Sequence, residues 1–354
     1  MTSTVFIGTY TERLPHVNGR GTGIYVFSMK EGALCPEGAF RGLPNPSFLA
    51  VDVQRHCVYA VSEVLEFHGF SQGAVQAWSW DPEQKILNPT GHIGTQGGAP
   101  CYISIIDDHV LIANYVGGSI TSVHRSETGE LGSIDRMIKH SGSGPNIARQ
   151  KAPHPHAIVP DPTGTYCLVP DLGTDEVYIY HLRQTQSILT PKGDAVKIPS
   201  GSGPRHLSFH PSGNFVYVMN ELNSTITLLS WNDGYSEVLQ TFDALPKEYT
   251  GIRAGADIHV HPSGRFLYAS LRGPSSMVCF EIDSDTGFLT APSWFSTYGR
   301  VPRNFAFDSN GEYLLVAHQD SDTVIVFYIN QETGHLTGPH QVINVPSPVC
   351  VTIV

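Results

Sequence analysis

Apolar residues along this chain come in alternating or continuous runs of only about five or six residues, divided by short polar stretches rich in Gly and Pro. One stretch shows the unit. Leu207 to Phe209 reads as a strand, His210-Pro-Ser-Gly213 as a turn, Phe215 to Met219 as a second strand, Asn220 to Asn223 as a polar break, and Thr225 to Ser230 as a third strand. Pro at the second turn position and Gly at its end suit a tight turn, because Pro pre-sets φ and Gly tolerates the reversal.

The unit recurs. His156 to Leu182 carries the turn Asp161-Pro-Thr-Gly164, Ala256 to Ile282 carries His261-Pro-Ser-Gly264, and Arg303 to Ile329 carries Asp308-Ser-Asn-Gly311. Degenerate copies start at Pro46 and Pro100, and a half-copy at Pro348. Equivalent starts fall at Pro46, Pro100, Pro155, Pro204, Gly255, Pro302 and Pro348, with spacings of 54, 55, 49, 51, 47 and 46 residues. Each interval holds three clear strands with room for a fourth, which is the size of a propeller blade. Val349 to Val354 supplies one strand before the chain stops, and Val5 to Tyr10 with Gly23 to Ser28 supplies others, so the termini are expected to share the seventh blade and leave no open sheet edge. The predicted architecture is all-β: one seven-bladed propeller domain over residues 1–354, four antiparallel strands per blade. A pair of β-sandwiches does not need seven equivalent turns, and a helical solenoid needs a longer apolar period.

Composition then narrows the partners. The chain has 354 residues, Gly 35 and Pro 25, 40% apolar residues and 15% charged residues. Its net charge of −11 argues against a nucleic-acid partner, which usually needs a basic face, but a few local arginines suffice for a small anion. The longest apolar run, Val324 to Ile329, is far short of the ~18 residues of a membrane span. The N-terminal residues do not read as a signal peptide, so the Asn223-Ser-Thr225 sequon reads as incidental. Cys35, Cys57, Cys101, Cys167, Cys279 and Cys350 form no close pair and read as buried free thiols in a reducing compartment. A soluble cytoplasmic protein is expected; the sequence does not give its oligomeric state.

Positions that differ between copies at one register are the candidates for chemistry. The residue after each unit start is Ser47, Cys101, His156, Arg205, Ala256, Arg303 and Val349; the next is Phe48, Tyr102, Ala157, His206, Asp257, Asn304 and Cys350. Both open the innermost strand and should ring one mouth of the channel. Eight residues past the turn glycine, or past the matching Arg55 and Asp107 of the two degenerate copies, stand Glu63, Tyr115, Leu172, Glu221, Arg272 and Gln319, with Tyr10 a further candidate. Antiparallel neighbours reverse direction, so this register opens at the same mouth. His156, Arg205, His206, Glu221, Asp257, Arg272 and Arg303 are thereby expected to converge, which suits a small anionic substrate held by guanidinium forks. The plain alternative is a solvated charged rim.

Gly203-Pro-Arg-His-Leu-Ser-Phe-His-Pro211, Asn220-Glu-Leu-Asn-Ser224 and Ala256-Asp-Ile-His-Val-His-Pro262 resemble the signatures of the seven-bladed propeller lactonases, over nearly the whole chain. That family includes a bacterial type of 6-phosphogluconolactonase and fungal carboxymuconate lactonizing enzymes. The resemblance implies a pocket of His156, Arg205, Arg272 and Glu221 as catalytic residues, with no cofactor and no required metal. It implies hydrolysis of a sugar lactone, foremost 6-phosphogluconolactone, with lactone-forming cycloisomerisation as the alternative. His206, Asp257, Arg303, Tyr115 and Glu63 are the expected substrate contacts. Glu221 and His156 both qualify as the base: a carboxylate pinned by arginine is charged but weakly basic, and histidine titrates near neutrality. Pro153-His-Pro155 and the insertion Phe67-His-Gly-Phe70 are departures that can reshape the pocket.

Two rivals remain from the residues. His154 with His156, and His259 with His261, have strand-face spacing that a metal could use, although His210 and His261 sit in the Pro-Ser-Gly turn, where a structural role fits better. A propeller that only binds a protein or peptide is the other, since fold does not fix function. Gly142-Ser-Gly144 and Gly201-Ser-Gly203 precede strands rather than helices, so they read as blade connections and not dinucleotide loops.

Overall fold

The second strand of each repeat is buried on both faces, and this organises the molecule. In Phe215–Asn220, Val216 and Val218 pack with Tyr166, Leu168 and Ile179 of the preceding repeat, whereas Tyr217 and Met219 pack with Ile258, Leu267 and Ala269 of the following one. Alternate side chains of one strand thus belong to different interfaces, which is why the strand reads as continuously apolar. Each repeat buries its two faces only by having two neighbours, and that requirement closes the chain into a ring.

The computed structural model describes residues 2–182 and 188–354. It is all-β, with no helix among the described residues. Seven sheets of at least four antiparallel strands form the blades. We number them from the first complete one, so that blade 1 opens at Leu49–Asp52, blade 2 at Pro100–Ile106, blade 3 at Val159–Pro160, blade 4 at Pro204–Phe209, blade 5 at Gly255–Val260 and blade 6 at Pro302–Phe307. In blade 7 the C-terminal strand Pro348–Ile353 is innermost, followed by Ser3–Thr9, Ile24–Lys30 and Ala33–Phe40. Val5 pairs with Ile353 and Ile7 with Val351, so the two termini latch the ring as the repeat count requires.

Five of the seven expected unit starts, Pro100, Pro204, Gly255, Pro302 and Pro348, coincide with a strand start; Pro46 and Pro155 fall a few residues before the strands that open at Leu49 and Val159. Closure pairs no inner edge but encloses all seven around the channel. The fourth strands remain exposed at the perimeter, and Pro36, Pro89, Pro292 and Pro339 lie within four of them. A proline there cannot donate to an incoming strand, so the edges are blunted rather than absent. Cys35 lies on one of these outer strands and is exposed, contrary to the expectation of six buried thiols; the other five are buried.

The turn residues do tie blades together. His210 donates from Nε2 to the Gly264 carbonyl at 2.9 Å, and His261 does the same to Gly311 at 2.9 Å, each with Nδ1 engaged by the turn serine. Tyr217 donates to the Gly287 carbonyl of blade 5 at 2.8 Å. Gly287 has φ +72°, and a Cβ there would lie 2.8 Å from the Phe215 ring. Gly287→Ala is therefore expected to cost about 1–3 kcal/mol, from the left-handed backbone and the overpacked junction together; a urea midpoint equal to wild type would count against this reading of the joint.

Candidate active site

Three local devices aim side chains at one mouth of the channel. The first is the end of the second strand: Glu63, Tyr115, Glu221 and Arg272 each follow directly after Cys57–Ser62, His109–Asn114, Phe215–Asn220 and Phe266–Leu271. The second is a register shift at the start of the innermost strand. In blade 4, Pro204 pairs with Asn220 and His206 with Met219, leaving Arg205 as an extra residue; Cys101 and Arg303 are extra in the same way in blades 2 and 6. A bulge re-aims a side chain, so neighbours such as Arg205 and His206 can both serve the channel, at different depths. The third is a hairpin, Arg13–Leu14 with Val17–Asn18, that the repeat pattern does not contain and that crosses beside the mouth.

These enclose a cavity of about 520 Å³ lined by Glu63, Cys101, Tyr115, Arg149, His156, Glu221, Arg272 and Arg303, with Leu14, Pro15, His16, Val64, Leu65 and Val116 at its upper walls. Glu221 is its centre. Arg205 Nε donates to Glu221 Oε2 at 3.0 Å, Arg149 Nη2 donates to Oε1 at 2.6 Å, and Arg272 Nη2 forms an ion pair with Oε2 at 2.9 Å. His156 Nε2 stands 4.0 Å from Oε2. Burial alone pushes the Glu221 carboxyl up, but Arg272, Arg205, His156 and Arg149 together hold it well below its usual range, so it is an anion at neutral pH. Arg205 has side-chain exposure of 2%, and burial beside Arg303 and Arg272 lowers it to about 10, still cationic. Burial and Arg205 drive His156 well below its ordinary value, so its imidazole is neutral; with Nδ1 protonated it faces Cys101 Sγ at 3.6 Å and leaves Nε2 on the Glu221 side.

Across the cavity, Tyr10 donates to Glu63 Oε2 at 2.9 Å, Ser47 donates to the same oxygen at 2.5 Å, and Arg303 Nη2 donates to the Tyr10 hydroxyl at 3.1 Å. Burial raises Glu63 against the pull of Arg303. The two carboxylates of one cavity are thus pushed in opposite directions.

Of the nine residues singled out by register and motif, Glu63, Tyr115, His156, Glu221, Arg272 and Arg303 line this cavity. Arg205 and His206 lie under it, around a void of about 10 Å³. Asp257 is deeper still. It accepts His206 Nδ1 at 2.7 Å, His259 Nε2 at 3.0 Å, Asn304 Nδ2 at 2.6 Å and the Phe305 amide at 3.2 Å. With Phe48 stacked on Tyr102 at 4.2 Å beside His206, this layer plugs the channel and forms the floor. His154 Nδ1 donates to the Tyr115 carbonyl at 2.8 Å, and its ring stacks on Tyr115. Among the described residues, no group of three or more His, Cys, Asp or Glu is arranged to hold a metal ion.

Arg149 escaped the register comparison because it lies in no repeat. It sits in the long connection between Leu131–Lys139 and Val159–Pro160. A connection of that length at the mouth of a repeat fold is itself a signal, and the Pro153-His-Pro155 departure marks the same segment.

The family model described as lactonase, seven-bladed β-propeller, matches residues 4–353. The chain is 33% identical over 352 residues to the 6-phosphogluconolactonase of Bacillus subtilis, covering 98% of this chain and 97% of that one. It is also 33% identical over 327 residues to the 6-phosphogluconolactonase of Formosa agariphila, covering 90% of each. The structure of the periplasmic gluconolactonase of Pseudomonas aeruginosa superposes with a TM-score of 0.92 at 29% identity, over 100% of this chain and 99% of that one.

Proposed function

This chain belongs to the seven-bladed β-propeller lactonase family, and from that premise we propose that it hydrolyses a sugar lactone, with 6-phosphogluconolactone its foremost substrate. The observation that carries this is the Glu221 knot: one ionised carboxylate bound by Arg149, Arg205 and Arg272, with neutral His156 beside it and Arg303 across the same cavity. Guanidinium groups outnumber carboxylates there, which suits an anionic substrate.

His156 Nε2 is the base in this reading, because both Glu221 oxygens are already engaged by guanidinium groups. A water lying between His156 and the lactone carbonyl gives its proton to Nε2 as its oxygen bonds to the carbonyl carbon. The new imidazolium is stabilised by Glu221 at 4.0 Å. Arg303 and Arg272 face the oxyanion. Collapse breaks the ring C–O bond, and the departing alkoxide takes the proton back from His156, leaving a hydroxy acid. The floor of Phe48, Tyr102, His206, Asp257 and Asn304 keeps the reaction at one mouth. Five buried free cysteines support a reducing, cytoplasmic setting.

Phosphorylated gluconolactone, unphosphorylated gluconolactone and a muconolactone, each followed against spontaneous hydrolysis, test this. Fastest acceleration is expected on the phosphorylated lactone. No acceleration of any of them would overturn the reading, and turnover confined to the muconolactone would move it to cycloisomerisation.

A further inference from the structure

The three arginines on Glu221 are not equivalent. Arg205 also donates from Nη1 to the Ala256 carbonyl at 2.7 Å, and Arg272 from Nη2 to the Gly255 carbonyl at 2.9 Å, so both are tied to the blade 5 backbone. Arg149 makes no such tie in its contacts: its Nη2 meets Glu221 Oε1 at 2.6 Å and the Tyr115 hydroxyl at 3.2 Å. Side-chain exposure is 43% for Arg149, against 2% for Arg205 and 16% for Arg272. Its backbone, by contrast, is fixed. Asn146 accepts the amides of Ala148, Arg149 and Gln150, and buried Gln150 donates to the Leu172 carbonyl at 2.9 Å. A long cationic side chain therefore extends from an anchored turn, at the solvent side of the cavity. The division of oxygens matters too: Arg205 and Arg272 share Oε2, and Arg149 meets Oε1.

We propose that Arg149 is the substrate-sensing residue of this site: it holds Glu221 while the cavity is empty and transfers to the anionic group of an incoming phosphorylated lactone. This rests on the lactonase reading. A dianionic phosphate offers the guanidinium more charge and more acceptor oxygens than a carboxylate already shared by two other arginines. Its departure leaves Glu221 less neutralised, and the fuller negative charge favours the imidazolium that His156 must become during water attack. Binding of the phosphate and activation of the base are then one event. An unphosphorylated lactone fills the same cavity but leaves Arg149 on Glu221. Leu14, Leu65 and Val116 in the upper walls carry no charge of their own for the phosphate.

Steady-state kinetics on phosphorylated and unphosphorylated gluconolactone test this with wild type, Arg149→Ala and Arg149→Lys. In Arg149→Ala, kcat/KM on the phosphorylated lactone is expected to fall at least about tenfold further than on the unphosphorylated one, the difference a lost charge-assisted bond of ~1.4 kcal/mol or more produces. The fall should appear in kcat as well as KM, because recognition and activation are joined. Arg149→Lys should restore part of the preference. Equal losses on both lactones, or an unchanged preference, would overturn the proposal while wild-type turnover keeps the lactonase reading. A wild type inert on both would overturn that reading and the proposal together.

Discussion

Glu221→Gln is expected to lower kcat/KM on the phosphorylated lactone by at least about a hundredfold, ~2.7 kcal/mol of transition-state stabilisation. The amide keeps the size and one acceptor oxygen but removes the charge that offsets Arg149, Arg205 and Arg272 and that, in the proposed mechanism, stabilises the imidazolium of His156. Arg205→Ala should lose a similar factor, because its guanidinium bridges Glu221, His206 and Ala256 beneath the cavity. Stability should fall with activity. Leaving a buried charge without its partner costs about 3–5 kcal/mol, and Arg205 is almost wholly enclosed. Far-ultraviolet dichroism and a thermal melt separate the two effects. Near-normal rates in a folded Glu221→Gln variant would show that the chemistry lies elsewhere.

The second large effect belongs to the floor. Asp257→Ala is expected to destabilise the fold by about 3–5 kcal/mol, because it leaves His206, Asn304 and the Phe305 amide buried without their acceptor. Burial by itself pushes the Asp257 carboxyl up, but His259 and His206 pull it far below its ordinary value. A carboxylate depressed on folding contributes stability that is present above its unfolded pKa, near ~3.9, and is lost as pH falls through the folded value. His259 moves the other way: burial lowers it, but Asp257 raises it overall, so its contribution is full below ~6.5 and is lost as pH rises through the folded pKa. The gap in urea midpoint between wild type and Asp257→Ala should accordingly be widest between about pH 4 and pH 6.5. A gap that stays constant to pH 3 would contradict this account of the network. Because Asp257 acts through the floor, its loss of activity should follow its loss of folded protein.

Much of this was legible in the sequence because propeller repeats make register equivalent to position. Counting eight residues from the last position of each turn, a glycine in the clear copies and Arg55 or Asp107 in the degenerate ones, placed Glu63, Tyr115, Glu221 and Arg272 at the ends of second strands, and all four open into one cavity. Counting from each unit start found Arg205 and Arg303 in the same way. The comparison could not separate Arg205 from Asp257, two charged residues at adjacent registers. The bulges differ: Arg205, the one residue left unpaired by the shift in blade 4, reaches Glu221, while Asp257, inside the wider shift between Gly255 and Ile258 in blade 5, reaches His206 in the plug below.

The number of blades, the latch of the two termini and the mouth at which the charged residues gather are written in the residues alone, because each follows from a local period repeated along the chain. That Arg149 joins Glu221 across 72 positions, that the hairpin near the N-terminus walls the cavity, and that Cys35 faces solvent emerge only in the folded ring. These depend on where irregular connections and outer strands come to rest around a closed ring. No period encodes that, since such segments are placed by the blades they happen to meet.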